Sequence, residues 1–534
     1  MTNKNISRRS ALQTIGAGSL IGLAGCSSSS DSPNQSDPYG SSTSTTGGDD
    51  GATSSSKSAT VALATDLTAG TWGVYGGVMP YYTNILEPLI WVSKDMKLEP
   101  WLATEWKATG ETTWEFTLRE NVTFHNGKPL TAEAVVFSFH QLLDEWSWAP
   151  GWLHVEKDGV KALDETTVEF TTTDPFPTFP GTIAHNMVAI QHPDRDRKAG
   201  EAIGTGPFKI ENVKKEQFVQ TTAFKDYWNE PPKLSGLKFR VITDANTRAL
   251  SLSAHETDVA YQPPRNKIKS IQKASKTNVE TQGSPSAGYL GINLHKSPTD
   301  DVKLRKALNY AVNQNAIVES ILSGVGKPAR GSIAPSIYWS AHDQLPEYGP
   351  NKSKAKSLVK SSNYDGEALK LLVSTDMTDG KLLAQAVAQQ METVGVTIDI
   401  QVLEDAAFND AERNGQGHLA LSEKGTNSGA ADYVIYESFH SEGDMNERLY
   451  GDEGTGLYNL GSKVDSLLET GFQTGSKEKK KEVYREVQRM IAERAVIVPL
   501  YYSEYVVASF RDVSDLDLRP IPEMVRWDSL THTN

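Results

Sequence analysis

One cysteine occurs among the 534 residues, Cys26, and it closes the run Leu23-Ala-Gly-Cys26. A single thiol excludes an intramolecular disulfide and any multi-cysteine metal site, which leaves one reactive acceptor. Small residues just ahead of it suit a cut that exposes the cysteine as a new N-terminus and lets it take a lipid. Upstream, Arg8 and Arg9 stand in Ser7-Arg-Arg-Ser10, followed by a weakly apolar run over 11–24. That run is too short for a spanning helix and reads as a signal peptide, with the arginine pair suited to the twin-arginine route for folded cargo. Residues 1–25 are expected to be an export signal, and Cys26 to become a lipid anchor at the extracellular face of the cell membrane.

No catalytic constellation accompanies this address. Gly324-Val-Gly326-Lys327 lacks the first glycine of a phosphate loop, and Pro328 stands where a hydroxyl would hold magnesium. The eleven histidines are scattered without a His-Glu-x-x-His pair, and no Gly-x-Ser-x-Gly elbow occurs. A two-histidine metal site assembled by folding stays open. Asp300 and Asp301 read as N-terminal charges of a helix. Neither an enzyme nor a cofactor is therefore expected; a surface-anchored hydrolase is the reading of another class.

The elements that would position a site begin after a tether. Residues 26–58 are rich in Ser, Thr, Gly and Asp and cannot bury enough surface to offset ordering entropy. As a coil they reach about 30 Å. The remaining length suits about three domains or lobes. A net charge of -14, from 67 acidic and 53 basic residues, and the lack of a long basic run disfavour nucleic acid.

Within the folded part, Val61–Ala64 reads as a strand, and Trp114, Phe116 and Leu118 alternate as another. Thr131 is placed to cap a helix carrying Val135, Val136, Phe139, Leu142 and Leu143, and 167–173 alternates again. Leu369–Thr375, the helix Lys381–Val394 ended by Gly395, and the alternation Val396, Ile398, Ile400, Val402 form strand, helix, strand, which predicts a crossover between parallel strands. Further helical stripes run through Leu304–Val312 and Val483–Ile491, the second leading into an apolar stretch over 495–500. Eight of the eleven tryptophans fall between Trp72 and Trp152, where packing is their ordinary use.

A family resemblance emerges from motifs in order. Ile85-Leu-Glu-Pro-Leu-Ile90, Leu98-Glu-Pro-Trp-Leu-Ala103 with Glu105-Trp106, Trp114-Glu-Phe-Thr-Leu-Arg119, Val122-Thr-Phe-His125, Gly204-Thr-Gly-Pro-Phe208, Tyr227-Trp228 and Leu304-Arg-Lys-Ala-Leu-Asn-Tyr-Ala-Val-Asn313 follow one another. Together they resemble the family 5 extracellular solute-binding proteins, the dipeptide, oligopeptide and nickel receptors of ABC importers, over about residues 60–510.

The resemblance implies an α/β, two-lobed periplasmic-binding-protein-like fold of the large three-subdomain type (class II), with a hinge and an interlobe cleft. Carried onto this chain, lobe I comprises 59–82, 200–283 and 494–534, a subdomain of 83–199 is inserted in it, and lobe II is 284–493. It also implies a monomer that takes a peptide or other small solute and partners ABC permease subunits and ATPases. In peptide receptors of the family an aspartate pairs with the peptide's ammonium; the corresponding stretch resembles Gly429-Ala-Ala-Asp432-Tyr433, with Gly429 in place of a tryptophan. Asp432 and Tyr433 are thus the ligand candidates. For the alternative, a nickel or metal-chelate receptor, His185 and His440 lie near the family's ligand regions.

Overall fold

A computed structural model describes residues 57–68, 82–147, 149–195, 202–443, 446 and 460–533. Arg8, Arg9, Cys26 and nearly all of the expected tether lie outside these described residues. The local expectations are met where sequence period is strongest. Thr131 caps the helix Ala132–Glu145, its hydroxyl accepting from the Ala134 amide, and Val135, Phe139, Leu142 and Leu143 are buried. Strand Leu369–Ser374, helix Gly380–Glu392 and strand Ile398–Leu403 follow one another, and the two strands pair in parallel. Asp301 is the N-cap of Val302–Ala311, accepting from the Lys303 amide.

One sheet runs through the molecule. From one edge its order is Ile398–Leu403, Leu369–Ser374, Leu419–Lys424, Thr277–Ile292, Ile497–Phe510, Val259–Tyr261, Ser58–Leu63, Gly236–Val241, Phe218–Ala223 and Phe208–Lys214. Two long antiparallel strands, Thr277–Ile292 and Ile497–Phe510, carry it from one lobe to the other. Their register breaks between Gly283 and Ala287, opposite Glu504 and Tyr502. Such an irregularity leaves local backbone outside the ladder and increases bend and twist, which suits a hinge.

Each half has its own core. Val61, Phe239, Val259 and Trp527 belong to one, which continues into the inserted sheet through Phe116, Phe139 and Phe170. Leu290, Leu371, Val387 and Val498 belong to the second, and beside it the helix residues Ile435, Tyr484 and Val487 pack with Trp339 from a turn. Val496, Ile497, Val498, Leu500 and Tyr501 pack in these cores of the second half, while Ile497–Phe510 extends well past the expected short apolar stretch and also reaches the first core through Tyr505 and Val507.

The inserted part is a four-stranded antiparallel sheet, Ala103–Ala108, Thr113–Leu118, Thr167–Thr172 and Val155–Ala162, covered by the helix Ala132–Glu145. Edge-to-face rings of Phe116, Phe139 and Phe170, with centroids 4.6 to 5.3 Å apart, fill the space between helix and sheet.

Candidate functional site

Parallel strands point their carboxyl ends the same way, and in α/β sheets ligands gather outside those ends. In one half, Ser58–Leu63 runs parallel to Gly236–Val241 and Val259–Tyr261. In the other, Leu369–Ser374 runs parallel to Ile398–Leu403 and Leu419–Lys424. The segments leaving these ends are 262–265 in the first half and 375–379 and 425–432 in the second. Arg265 Nε lies 3.6 Å from Asp379 Oδ2. The Gly429 amide donates to the Gly181 carbonyl of the inserted part at 3.0 Å. Nearby, Phe176 stacks on Phe472 at 5.4 Å, and Phe472 in turn meets Tyr436 at 4.9 Å. The candidate site is this cleft, seen with its walls in contact.

Asp432 begins the helix Asp432–Phe439 and is only 5% exposed. Its carboxylate is held by the ammonium of Lys480, which reaches in from the helix Lys477–Glu493. Two phenols attend the pair. Burial first, and then the Asp432 charge, push the Tyr338 and Tyr484 hydroxyls well above the usual tyrosine range. Tyr433 follows in the same helix and is half-buried.

The two histidine candidates are built differently. His185 precedes the short helix Asn186–Val188, its Nδ1 accepting from the Met187 amide at 3.0 Å, with its ring edge-on to Trp152 at 5.3 Å. Burial pushes its pKa down to about 3, so the ring is neutral at any physiological pH. His440 ends the helix Asp432–Phe439 and lies flat on Tyr436 at 4.4 Å. Its Nδ1 accepts from the Glu442 amide at 3.1 Å, and Nε2 lies 3.4 Å from Glu469 Oε1. Each ring thus has one nitrogen committed to backbone. Among the described residues no group of three or more His, Cys, Asp or Glu is arranged to hold a metal ion.

The profile of the bacterial extracellular solute-binding proteins, family 5 (middle), matches residues 97–446, most of the chain. The chain belongs to this family. The glutathione-binding protein GsiB of Salmonella paratyphi A is 28% identical over 458 residues, covering 82% of this chain and 87% of that protein. The probable D,D-dipeptide-binding periplasmic protein DdpA of Escherichia coli K12 is 27% identical over 435 residues, covering 79% and 83%. Among solved structures, a nickel ABC transporter protein from Bacillus halodurans superposes with a TM-score of 0.76 at 23% identity, covering 89% of this chain and 99% of that one. That likeness concerns the two-lobed fold.

In this family 5 protein the family motif Leu86-Glu-Pro hides a structural device that the sequence reading did not single out. Glu87 is buried and accepts four hydrogen bonds: Trp101 Nε1 at 2.8 Å, Thr205 Oγ1 at 2.7 Å, Tyr227 OH at 2.8 Å and Trp228 Nε1 at 3.0 Å. Burial pushes its pKa up, against those four donors. The guanidinium groups of Arg119 and Arg526 lie over Trp228 and Trp101 at 4.4 and 4.6 Å. This knot ties the inserted part to the first lobe, and it accounts for Trp101 and Trp228 as packing residues, with Trp91 packed on Trp101 at 5.1 Å. A lone acid inside the apolar run Ile85–Ile90 was the available signal.

Lys480 was also missed in this role. Within Lys477–Lys481 it reads as one more surface cation, yet Lys480, Val483, Tyr484 and Val487 share one helical stripe, and all four are buried. A lysine on the apolar stripe is the signal for an inward ion pair.

Proposed function

We propose that this chain is the lipid-anchored extracellular substrate-binding component of an ABC importer, capturing peptides by lobe closure and delivering them to a membrane permease. The observation that carries the reading is the contact of Arg265 with Asp379 at the carboxyl ends of both sets of parallel strands, together with that of Gly429 with Gly181 beside the four-stranded sheet. Closure of two lobes buries a solute and creates a form that a permease can distinguish from the open one. The anchor at Cys26, the export signal at Arg8 and Arg9, and the tether of 26–58 supply what a receptor held near its permease needs. The partners are permease subunits and cytoplasmic ATPases.

Peptide is preferred as the ligand because the 425–432 segment, which leaves the second set of parallel strands, ends in a buried carboxylate, Asp432, with Tyr433 beside it. The relatives named for glutathione and for a D,D-dipeptide support the same chemistry. A nickel or metal-chelate ligand is the alternative, with His185 and His440 as its candidates; each gives a ring nitrogen to a backbone amide, which leaves fewer donors for a metal.

The test is native mass spectrometry of the protein released from its own membrane, before and after denaturation. A spread of peptide masses is expected. Nickel recovered with an organic chelator would overturn the peptide reading.

A further inference from the structure

A second cavity lies in the second half, away from the cleft. Its mouth, with a volume of about 280 Å³, opens between Asn309, Gln314 and Asn315 on one side and the loop 328–350 on the other. Pro328, Pro346, Pro350 and Pro499 stand in its wall, where a fixed φ at each limits collapse. Past Arg330 and Tyr348 follows a recess of about 10 Å³, room for one water-sized group, bounded by Ser332, Leu345, Ile491 and Ile497. The lining residues of mouth and recess fall within 309–350 and 488–499, so the cavity shares no wall with 262–265, 375–379 or 425–432.

Two features of this wall suit a ligand. Ser332 is 4% exposed, and its buried Oγ has no hydrogen-bond partner among the described residues. Buried hydroxyls are ordinarily satisfied, and the exceptions call for a reason. At the mouth, Arg330 Nη2 lies 3.4 Å from Glu347 Oε1, with 35% and 75% of the two side chains exposed. A pair so open to water is weakly held and costs little to part. Once parted, it presents a guanidinium beside a carboxylate, the complement of a carboxylate beside an ammonium. The backbone that carries the arginine is fixed, because the Arg330 and Gly331 amides both donate to Tyr502 OH at 3.3 Å and His342 Nδ1 meets the same hydroxyl at 2.9 Å. We propose that this cavity binds a free α-amino acid with a short side chain, its carboxylate on Arg330, its ammonium on Glu347 and its side chain turned into the recess toward Ser332. The recess takes a methyl or hydroxymethyl group, and Leu345 and Ile491 exclude a longer or branched one. The site is independent of which solute the interlobe cleft takes.

The test is hydrogen exchange on the full-length protein in detergent, with L-alanine and L-serine as ligands and N-acetyl-L-alanine and L-alaninamide as controls. Both amino acids are expected to slow exchange saturably over 329–349 and 488–492. Each control lacks one of the two charges and should need about tenfold more ligand for the same protection. Arg330→Gln and Glu347→Gln should each weaken L-alanine by about tenfold at an unchanged melting temperature, and Ser332→Ala should weaken L-serine more than L-alanine. Controls that protect at the same concentrations as L-alanine overturn the proposal, and that comparison needs no variant to fold. Variants that keep the affinity of the wild type overturn it too. So does protection confined to 262–265, 375–379 and 425–432, since the amino acid would then sit in the cleft, and so does the lack of saturable protection at millimolar L-alanine and L-serine.

Discussion

The amide of Gly429 and the carbonyl of Gly181 join the second lobe to the inserted part through a 3.0 Å backbone hydrogen bond. Both glycines sit in tight quarters. A Cβ on Gly181 would lie 3.1 Å from the Ala430 nitrogen and the Gly429 carbonyl carbon, and a Cβ on Gly429 would collide with the Leu98 side chain. Gly181→Val should therefore hold the lobes apart. Overpacking of this kind costs about 1–3 kcal/mol, which corresponds to roughly tenfold weaker solute binding. Small-angle scattering with and without solute checks it, the variant staying at the larger radius of gyration.

Asp432 and Lys480 should behave as one unit. Removing one partner leaves the other charge buried and alone, at a cost of about 3–5 kcal/mol, whereas replacing both with groups of similar volume costs much less. Asp432→Asn and Lys480→Met should each lower the denaturation midpoint strongly, and the double variant should recover most of the loss. Separately, Asp432→Asn should weaken binding of a peptide with a free ammonium by about tenfold. Unchanged affinity in a calorimetric titration would remove Asp432 from the site.

Glu412 predicts a pH dependence. It lies in the helix Asp405–Arg413, 8% exposed, with Oε1 lacking a hydrogen-bond partner. Burial raises its pKa from 4.5 to about 7, with Asp405 adding to the rise and Lys424 opposing it. A raised folded pKa means that its contribution is fully present below about pH 4.5 and is lost as pH rises through about 7. Glu412→Gln should flatten that part of the stability profile and stabilise the protein at pH 8 by up to about 3 kcal/mol. Urea unfolding at pH 4.5, 6 and 8 is the measurement.

The proposed anchor at Cys26 predicts that Cys26→Ser releases the protein from the membrane with its solute affinity unchanged. Fractionation of cells expressing each form decides this. A variant that stays with the membrane fraction would remove Cys26 as the anchor.

Several features of the fold were legible because they depend on neighbours along the chain. Thr131 as a cap, the stripe of Leu383, Val387 and Met391, and the alternation from Ile398 onward express helix and strand periods directly. The length of Ile497–Phe510 was not legible. Its second half pairs with Thr277–Ile292 and Val259–Tyr261, so its strand character depends on partners more than 200 residues away.

The sequence alone determined the α/β elements, the family and the candidate segment ending in Asp432, since local period and ordered motifs suffice for these. Only the tertiary structure decided which charges meet. Lys480 turns inward to Asp432, Glu87 gathers four donors from three distant segments, and Arg265 faces Asp379 across the cleft. A side chain's charge is written in the sequence, but its partner is set by how strands and helices pack. Burial then makes that partner matter, because a charge removed from water depends on whatever the fold places beside it.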